Sequence, residues 1–242
     1  MTSLPADHPF RRHSENLRAV KAGLTQAERG HKDAIRRGDA AATDFTGRVH
    51  QLMIGLLAEA QLRKIISDPD GFNAKEQQLL GQERSQLDRW QRSVEFALRR
   101  HYAVPLHLEI DDANTAAGVT AQYNTIADIL KNDLEPIIGD RNKLAHAQWA
   151  WLLNSKESAF IGPAPTPLNY LASKWRGDMI AAIADLVHAL VVSEPTFQRD
   201  YARIYSQIAA IQADINGTGY PDFVVALQSR RRPSLEHQST AV

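Results

Sequence analysis

The stretch LNYLASKWRGDMIAAIADLVHALVV, residues 168–192, decides the fold class of this protein. Its apolar side chains return every three or four positions, at Leu168, Leu171, Trp175, Met179, Ile183, Leu186 and Leu190. This spacing places them on one face of an α-helix, since the helix completes a turn in about 3.6 residues. We therefore expect residues 168–192 to form a long helix with one buried face.

The same spacing recurs along most of the chain. It covers residues 49–66, 73–104, 114–134 and 197–215. Asn73 and Glu76 have the spacing of a capping box, which favours a helix start at that point. Residues 106–110 alternate as a short strand would, and they are the one strand candidate. The sequence therefore predicts an all-α bundle of six to seven helices.

Charge and turn residues indicate how the chain divides. Residues 1–40 mix arginines with acidic residues, which predicts a solvated, charged N-terminal helix broken at Gly30. Residues 41–228 are expected to form the bundle. Residues 229–242 carry three arginines and Pro233, and we expect a disordered tail there.

Composition excludes several classes of protein. The chain has no cysteine, which removes disulfide scaffolds, zinc ribbons and thiol nucleophiles. Its 28 basic and 28 acidic residues balance, which argues against binding polyanions through bulk charge. Arginine supplies 20 of the basic residues and suits a local anion site. With no apolar stretch of membrane-spanning length and no export leader, we expect a cytoplasmic protein that contacts no membrane.

Two spacings in the sequence resemble the metal ligands of helical bundles. Glu28 with His31, and Asp185 with His188, lie three positions apart, as in the Glu-x-x-His pairs of di-iron bundles. Gly30 weakens the first helix, and the second pair has aspartate in place of glutamate. We therefore expect no metal and no cofactor, with a metal-containing bundle as the third alternative.

One segment, IIGDRNKLAHAQW at residues 137–149, is unusual in this helical chain. Gly139 is expected to end one helix, and Asp140 to cap the next by accepting a hydrogen bond from a backbone N–H. The side chains that follow would then lie in the first turn and a half of the new helix. The amino end of a helix attracts anions, which favours a phosphate site here.

The spacing of three polar residues supports this interpretation. Asn142 and His146 lie four positions apart and share a helix face. Arg141 lies about 140° around the helix from His146, but its long side chain can reach the same region. A capped surface helix that happens to carry these three side chains is the alternative.

The string RNKLAH, residues 141–146, resembles the R-x4–6-H motif of the HEPN superfamily, in which a polar residue, often Asn, follows the Arg. The similarity extends loosely over residues 44–192 through the order of the helices. The resemblance implies an all-α, HEPN-like bundle that cleaves or binds RNA. Such domains occur in toxin–antitoxin, anti-phage defence and RNA-processing systems.

The resemblance also implies a role for each residue of the motif. Arg141 would bind phosphate and stabilise the transition state, His146 would be the general acid/base, and Asn142 would orient the site. Two copies of the motif would face each other in a homodimer. The implied reaction needs no metal: the ribose 2′-OH attacks the phosphate and leaves a 2′,3′-cyclic phosphate end. The implied partners are RNA, a second copy of the chain, and an antitoxin or defence-system protein.

Two positions qualify the resemblance. Some toxins of the superfamily carry a tyrosine two residues after the histidine, where this chain has Gln148. Glu59 resembles an inward-facing acid of an earlier HEPN helix and could pair with Arg141, although a solvated or structural role is favoured. A non-catalytic module that dimerises and holds RNA or a protein partner is therefore the second functional hypothesis.

Overall fold

A computed structural model describes residues 4–154, 156–215, 217 and 219–229. The helices of the described residues are α1 (Pro9–Arg37), α2 (Ala40–Ile66), α3 (Ala74–Gln82), α4 (Gln86–Tyr102), α5 (Val119–Ile129), α6 (Glu135–Ala145), α7 (Tyr170–Val192), α8 (Glu194–Ile215) and α9 (Tyr220–Ser229). Between α6 and α7, strands β1 (Trp151–Leu153) and β2 (Phe160–Pro163) pair antiparallel as a hairpin. The protein is mostly helical, as predicted, with more helices than the predicted six to seven.

Three local predictions fail. Residues 73–104 form two helices, because Ser85 caps α4 by accepting a hydrogen bond from the Asp88 N–H at 3.0 Å. Gly30 does not break α1, which continues to Arg37 and is capped by Gly38. Residues 106–108 form a turn and a bend, residues 109 and 110 have no regular structure, and the strands of the described residues lie instead at β1 and β2.

The core is built around α2 and α7. Helix α2 packs against α1, α6 and α7, and α8 packs along α7. The predicted stripe of α7 is buried, with Met179, Ile183 and Leu186 at most 1 % exposed. Leu17 and Leu24 of α1 belong to the same core as α2 and α7. The boundary expected near residue 40, between the N-terminal helix and the bundle, falls at the short turn between α1 and α2. The expected tail from residue 230 onward lies outside the described residues.

One helical run connects α5 to α6. A π-helical turn at Leu130–Leu134 joins the two helices, and both end residues of that turn are fully buried. A π turn holds one more residue than an α turn, so it shifts the helix face that follows. None of the helices in the described part of the chain is long and apolar enough to cross a bilayer.

Candidate functional site

The RNKLAH motif lies at the carboxyl end of α6, not at the start of a helix. Helix α6 begins at Glu135 and continues through Gly139 and Asp140 without a break. The Asp140 carboxylate caps no helix; it accepts a hydrogen bond from Arg176 of α7 at 2.7 Å. Buried Ile137, Ile138 and Leu144 anchor the helix on both sides of the expected break. The predicted amino-terminal anion site is therefore wrong, and any anion here must be held by side chains.

A Schellman motif ends α6 at the motif histidine. The N–H of Gln148 donates to the carbonyl of Lys143 at 3.0 Å, and the N–H of Ala147 donates to that of Leu144 at 3.3 Å. Ala147 adopts the left-handed conformation that this ending requires, with φ of 58°. The Trp149 indole N–H also donates to the Leu144 carbonyl, at 2.9 Å. His146 thus sits at the last, half-helical position of α6.

Arg141 is held by two polar side chains. Its Nη2 donates to the Glu59 carboxylate, and its Nη1 donates to the Asn142 side-chain oxygen at 3.0 Å. Glu59 also accepts from Nη2 of Arg63 at 2.7 Å, so one carboxylate of α2 serves two arginines. The Arg141 and Glu59 side chains are about a quarter exposed. Glu59 therefore pairs with Arg141, as its position allowed, and of the solvated or structural roles favoured on sequence grounds the solvated one is wrong.

Gly55, which the sequence analysis overlooked, brings Arg141 to this position. A Cβ at Gly55 would lie 2.1 Å from the Arg141 Cβ and 2.5 Å from its Cγ. No real side chain fits at that distance, so α2 and α6 approach closely only because residue 55 is glycine. A glycine inside an apolar helix stripe was the available signal, because it marks close approach of another chain segment.

His146 is well exposed. Its side chain is 64 % exposed, and its Nδ1 lies 3.8 Å from the Glu157 carboxylate in the turn of the hairpin. An imidazole at this position is open to a ligand or to a second protein molecule. Among the described residues, no buried partner fixes the orientation of this imidazole.

The motif side chains line two adjacent clefts. The first, which we call the arginine cleft, has a volume of about 550 Å³, and its lining includes Glu59, Arg63, Arg84, Gly139, Arg141 and Asn142. The second, the hairpin cleft, has a volume of about 280 Å³, and its lining includes Gly139, Asn142, His146, Leu153, Glu157 and Ile161. Asn142 and His146 share a cleft, as their spacing predicted, whereas Arg141 faces the other. Gly139 and Asn142 belong to both.

The residues proposed as metal ligands do not assemble. Among the described residues, no group of three or more histidine, aspartate or glutamate side chains is placed to hold a metal ion. His188 instead contacts the Asp68 carboxylate at 2.9 Å. His31 contacts His50 of α2, with 3.3 Å between their Nδ1 atoms.

The pair of His31 and His50 is a buried polar feature that the sequence analysis missed. The residues are 1 % and 0 % exposed, and burial lowers the pKa of each imidazole to about 4. Glu28 lies at the edge of the pair, 3.9 Å from Nε2 of His50. Nineteen positions separate the two histidines, so no local spacing reveals the pair.

Comparison of the chain with family models, with curated proteins and with solved structures returned no match. The function must therefore be argued from the chemistry of the two clefts and from the motif itself.

Proposed function

We propose that this protein is a metal-independent endoribonuclease whose site is formed by Arg141, Asn142 and His146. One observation carries the proposal. The Arg141 guanidinium is fixed in the arginine cleft, and the next residue, Asn142, also lines the hairpin cleft, in which the His146 imidazole is exposed. A fixed, planar guanidinium can donate two parallel hydrogen bonds to two oxygens of a phosphate. An imidazole can gain or lose a proton near neutral pH. The resemblance of residues 141–146 to the HEPN motif points to the same chemistry.

In the proposed reaction, His146 takes the proton of a ribose 2′-OH. The 2′-oxygen bonds to the adjacent phosphorus, and the bond from phosphorus to the 5′-oxygen of the next nucleotide breaks. That leaving oxygen takes a proton from a second imidazole, and a 2′,3′-cyclic phosphate remains. Arg141 stabilises the charge on the phosphoryl oxygens, and its contact with Glu59 prevents the guanidinium from reorienting during the step.

The second imidazole is the reason to propose a homodimer. His146 is the one histidine among the described residues that line the two clefts. A two-fold axis beside the exposed end of α6 would bring a second copy of His146 to the same phosphate. One imidazole would then act as the base and the other as the acid.

The test of the proposal is cleavage of single-stranded RNA in the presence of EDTA. We expect wild type to release 2′,3′-cyclic phosphate ends and to leave DNA of the same sequence intact. His146→Ala and Arg141→Ala should each abolish cleavage. His107→Ala and Arg199→Ala alter exposed residues of the same types elsewhere and should cleave like wild type. Circular dichroism and size-exclusion chromatography check that all four variants keep the fold and assembly. Unchanged cleavage by both motif variants would refute the site.

A second candidate is a non-catalytic module that holds RNA or a protein partner. The observation in its favour is that Arg141 and His146 line different clefts of one chain. If wild type binds RNA and never cuts it, this candidate replaces the first.

Growth of a bacterial host that expresses wild type, beside one that expresses His146→Ala, tests for a toxin or defence effector. Toxicity confined to wild type favours the nuclease and a controlling antitoxin or defence-system partner.

A further inference from the structure

The arginine cleft and the hairpin cleft meet at Gly139, where the surface of α6 is open. We call this point the saddle. Gly139 and Asn142 are the residues that line both clefts, so the two spaces meet at the surface of α6 between them. A Cβ placed at Gly139 would have no atom within 4 Å apart from its own helix and its chain neighbours. A ligand can therefore pass from one cleft to the other over the backbone of α6.

The arginine cleft has the chemistry to hold phosphates. Four arginines face three carboxylates in its lining: Arg63, Arg84, Arg89 and Arg141 against Glu59, Asp88 and Glu135. The Arg63 side chain is 49 % exposed, and Arg84 is exposed in the short link between α3 and α4. Because Glu59 is already paired with two arginines, it competes weakly for a further cation. Arg63 donates to Glu59 through Nε and Nη2, which leaves its Nη1 to donate to an anion in the cleft. Arg84 makes no hydrogen bond or ion pair within the described residues, so its guanidinium can donate to the same anion.

The hairpin that borders the second cleft exposes large apolar side chains. Ile161, which forms part of its wall, is 66 % exposed. On the same hairpin, outside the lining of the cleft, Trp151 and Phe160 are 57 % and 71 % exposed, and their rings meet edge to face with centroids 6.4 Å apart. Solvent-exposed aromatic rings beside a positively charged groove can stack against unpaired nucleobases.

We infer that one strand of single-stranded RNA lies across Gly139, with its phosphates in the arginine cleft and its unpaired bases on the hairpin. This inference rests on the proposal that the protein acts on RNA. The strand would pass Arg141 on one side of the saddle and His146 on the other, so the scissile phosphate lies over Asn142. Single-stranded RNA has phosphates that suit the arginine cleft and exposed bases that suit the apolar side chains of the hairpin. An apolar protein partner would suit the hairpin alone. Arg84 and Trp151 become binding residues that the motif does not contain.

The test separates binding from cleavage by using a 12-nucleotide 2′-O-methyl RNA, which lacks the attacking hydroxyl. Fluorescence anisotropy measures its affinity for full-length wild type and for Gly139→Leu, Arg84→Ala and Trp151→Ala. Leucine favours a helix and fills the saddle, so Gly139→Leu should weaken binding at least tenfold while circular dichroism stays unchanged. Trp151→Ala should weaken binding by about tenfold, the effect of losing one stacked base. Arg84→Ala should lower the slope of log affinity against log salt by about 0.7, the value for one phosphate of a single strand.

Arg203→Ala, an exposed arginine of α8, is the matched control and should bind like wild type. Wild-type affinity in all three test variants would overturn the path, even if wild type cleaves RNA. Binding that depends on Gly139 and Trp151 without any cleavage would support the path and refute the nuclease. A change of oligomeric state in Trp151→Ala, with RNA binding unaltered, would assign the hairpin to a second copy of the chain and overturn the inference.

Discussion

Mild acid should destabilise this protein through His31 and His50. The two imidazoles are buried side by side, with 3.3 Å between their Nδ1 atoms. At that distance one Nδ1 donates and the other accepts, so both imidazoles cannot become positively charged without turning two N–H groups toward each other. Burial, which disfavours the charged form, lowers the pKa of both from 6.5 to about 4.

The sign and the size of the effect follow from these values. Between pH 6.5 and pH 4 the unfolded chain binds protons that the folded chain does not, so stability falls as the pH falls through this window. Above pH 6.5 the contribution is fully present, and below pH 4 no more is lost because both states are protonated. From pH 7 to pH 5, the loss in free energy of unfolding is about 2 kcal/mol for each histidine.

Urea unfolding followed by circular dichroism at pH 7 and pH 5 measures this loss. The double variant His31→Gln/His50→Gln keeps an amide pair that can donate and accept but not titrate. It should lose less free energy than wild type between the two pH values, by up to about 4 kcal/mol. Glu28 and Tyr170, which border the pair, are retained in the double variant. His107→Gln, at an exposed position, should keep the wild-type loss. An equal loss in the double variant and in wild type would refute the reasoning.

Two further predictions concern the geometry of α6. Gly55→Ala should lower the free energy of unfolding by about 1–3 kcal/mol in urea, because its Cβ overlaps Arg141. Gly81→Ala, in open space on α3, should instead raise the free energy of unfolding by up to about 1 kcal/mol. An equal rise in Gly55→Ala would refute the close contact between α2 and α6. Ala147→Gly should raise the midpoint of thermal unfolding, since it relieves about 1 kcal/mol of left-handed strain. Ala145→Gly, two residues earlier in regular helix, should lower that midpoint; a fall in both variants would contradict the assigned helix ending.

Where a helix carries its own signals, the sequence predicts it well. The apolar stripe of α7 is buried as its spacing indicated. The capping box at Asn73 and Glu76 forms with both hydrogen bonds, at 2.8 and 3.0 Å. These features depend on residues three or four positions apart, so a linear pattern contains them.

The candidate site was predicted less well because distant contacts override local preference there. Gly139 and Asp140 have the composition of a helix break, but the buried residues on either side and the bond from Arg176 keep α6 continuous. Helix α6 ends with Ala147 in the left-handed conformation, which is typical of glycine, so the residue type does not indicate that the helix ends there. The hairpin is made of two short strands around a turn, too brief for an alternating pattern to stand out.

The π-helical turn at Leu130–Leu134 sets the direction in which the motif points. Each residue advances an α-helix by about 100°, so the one extra residue in this turn rotates the rest of the run by about that angle. Without it, Arg141 would no longer face Glu59, although not one residue of the motif would have changed. The direction in which the site faces thus depends on residues about ten positions earlier in the chain. Deletion of a single residue there would reorient Arg141, Asn142 and His146 together.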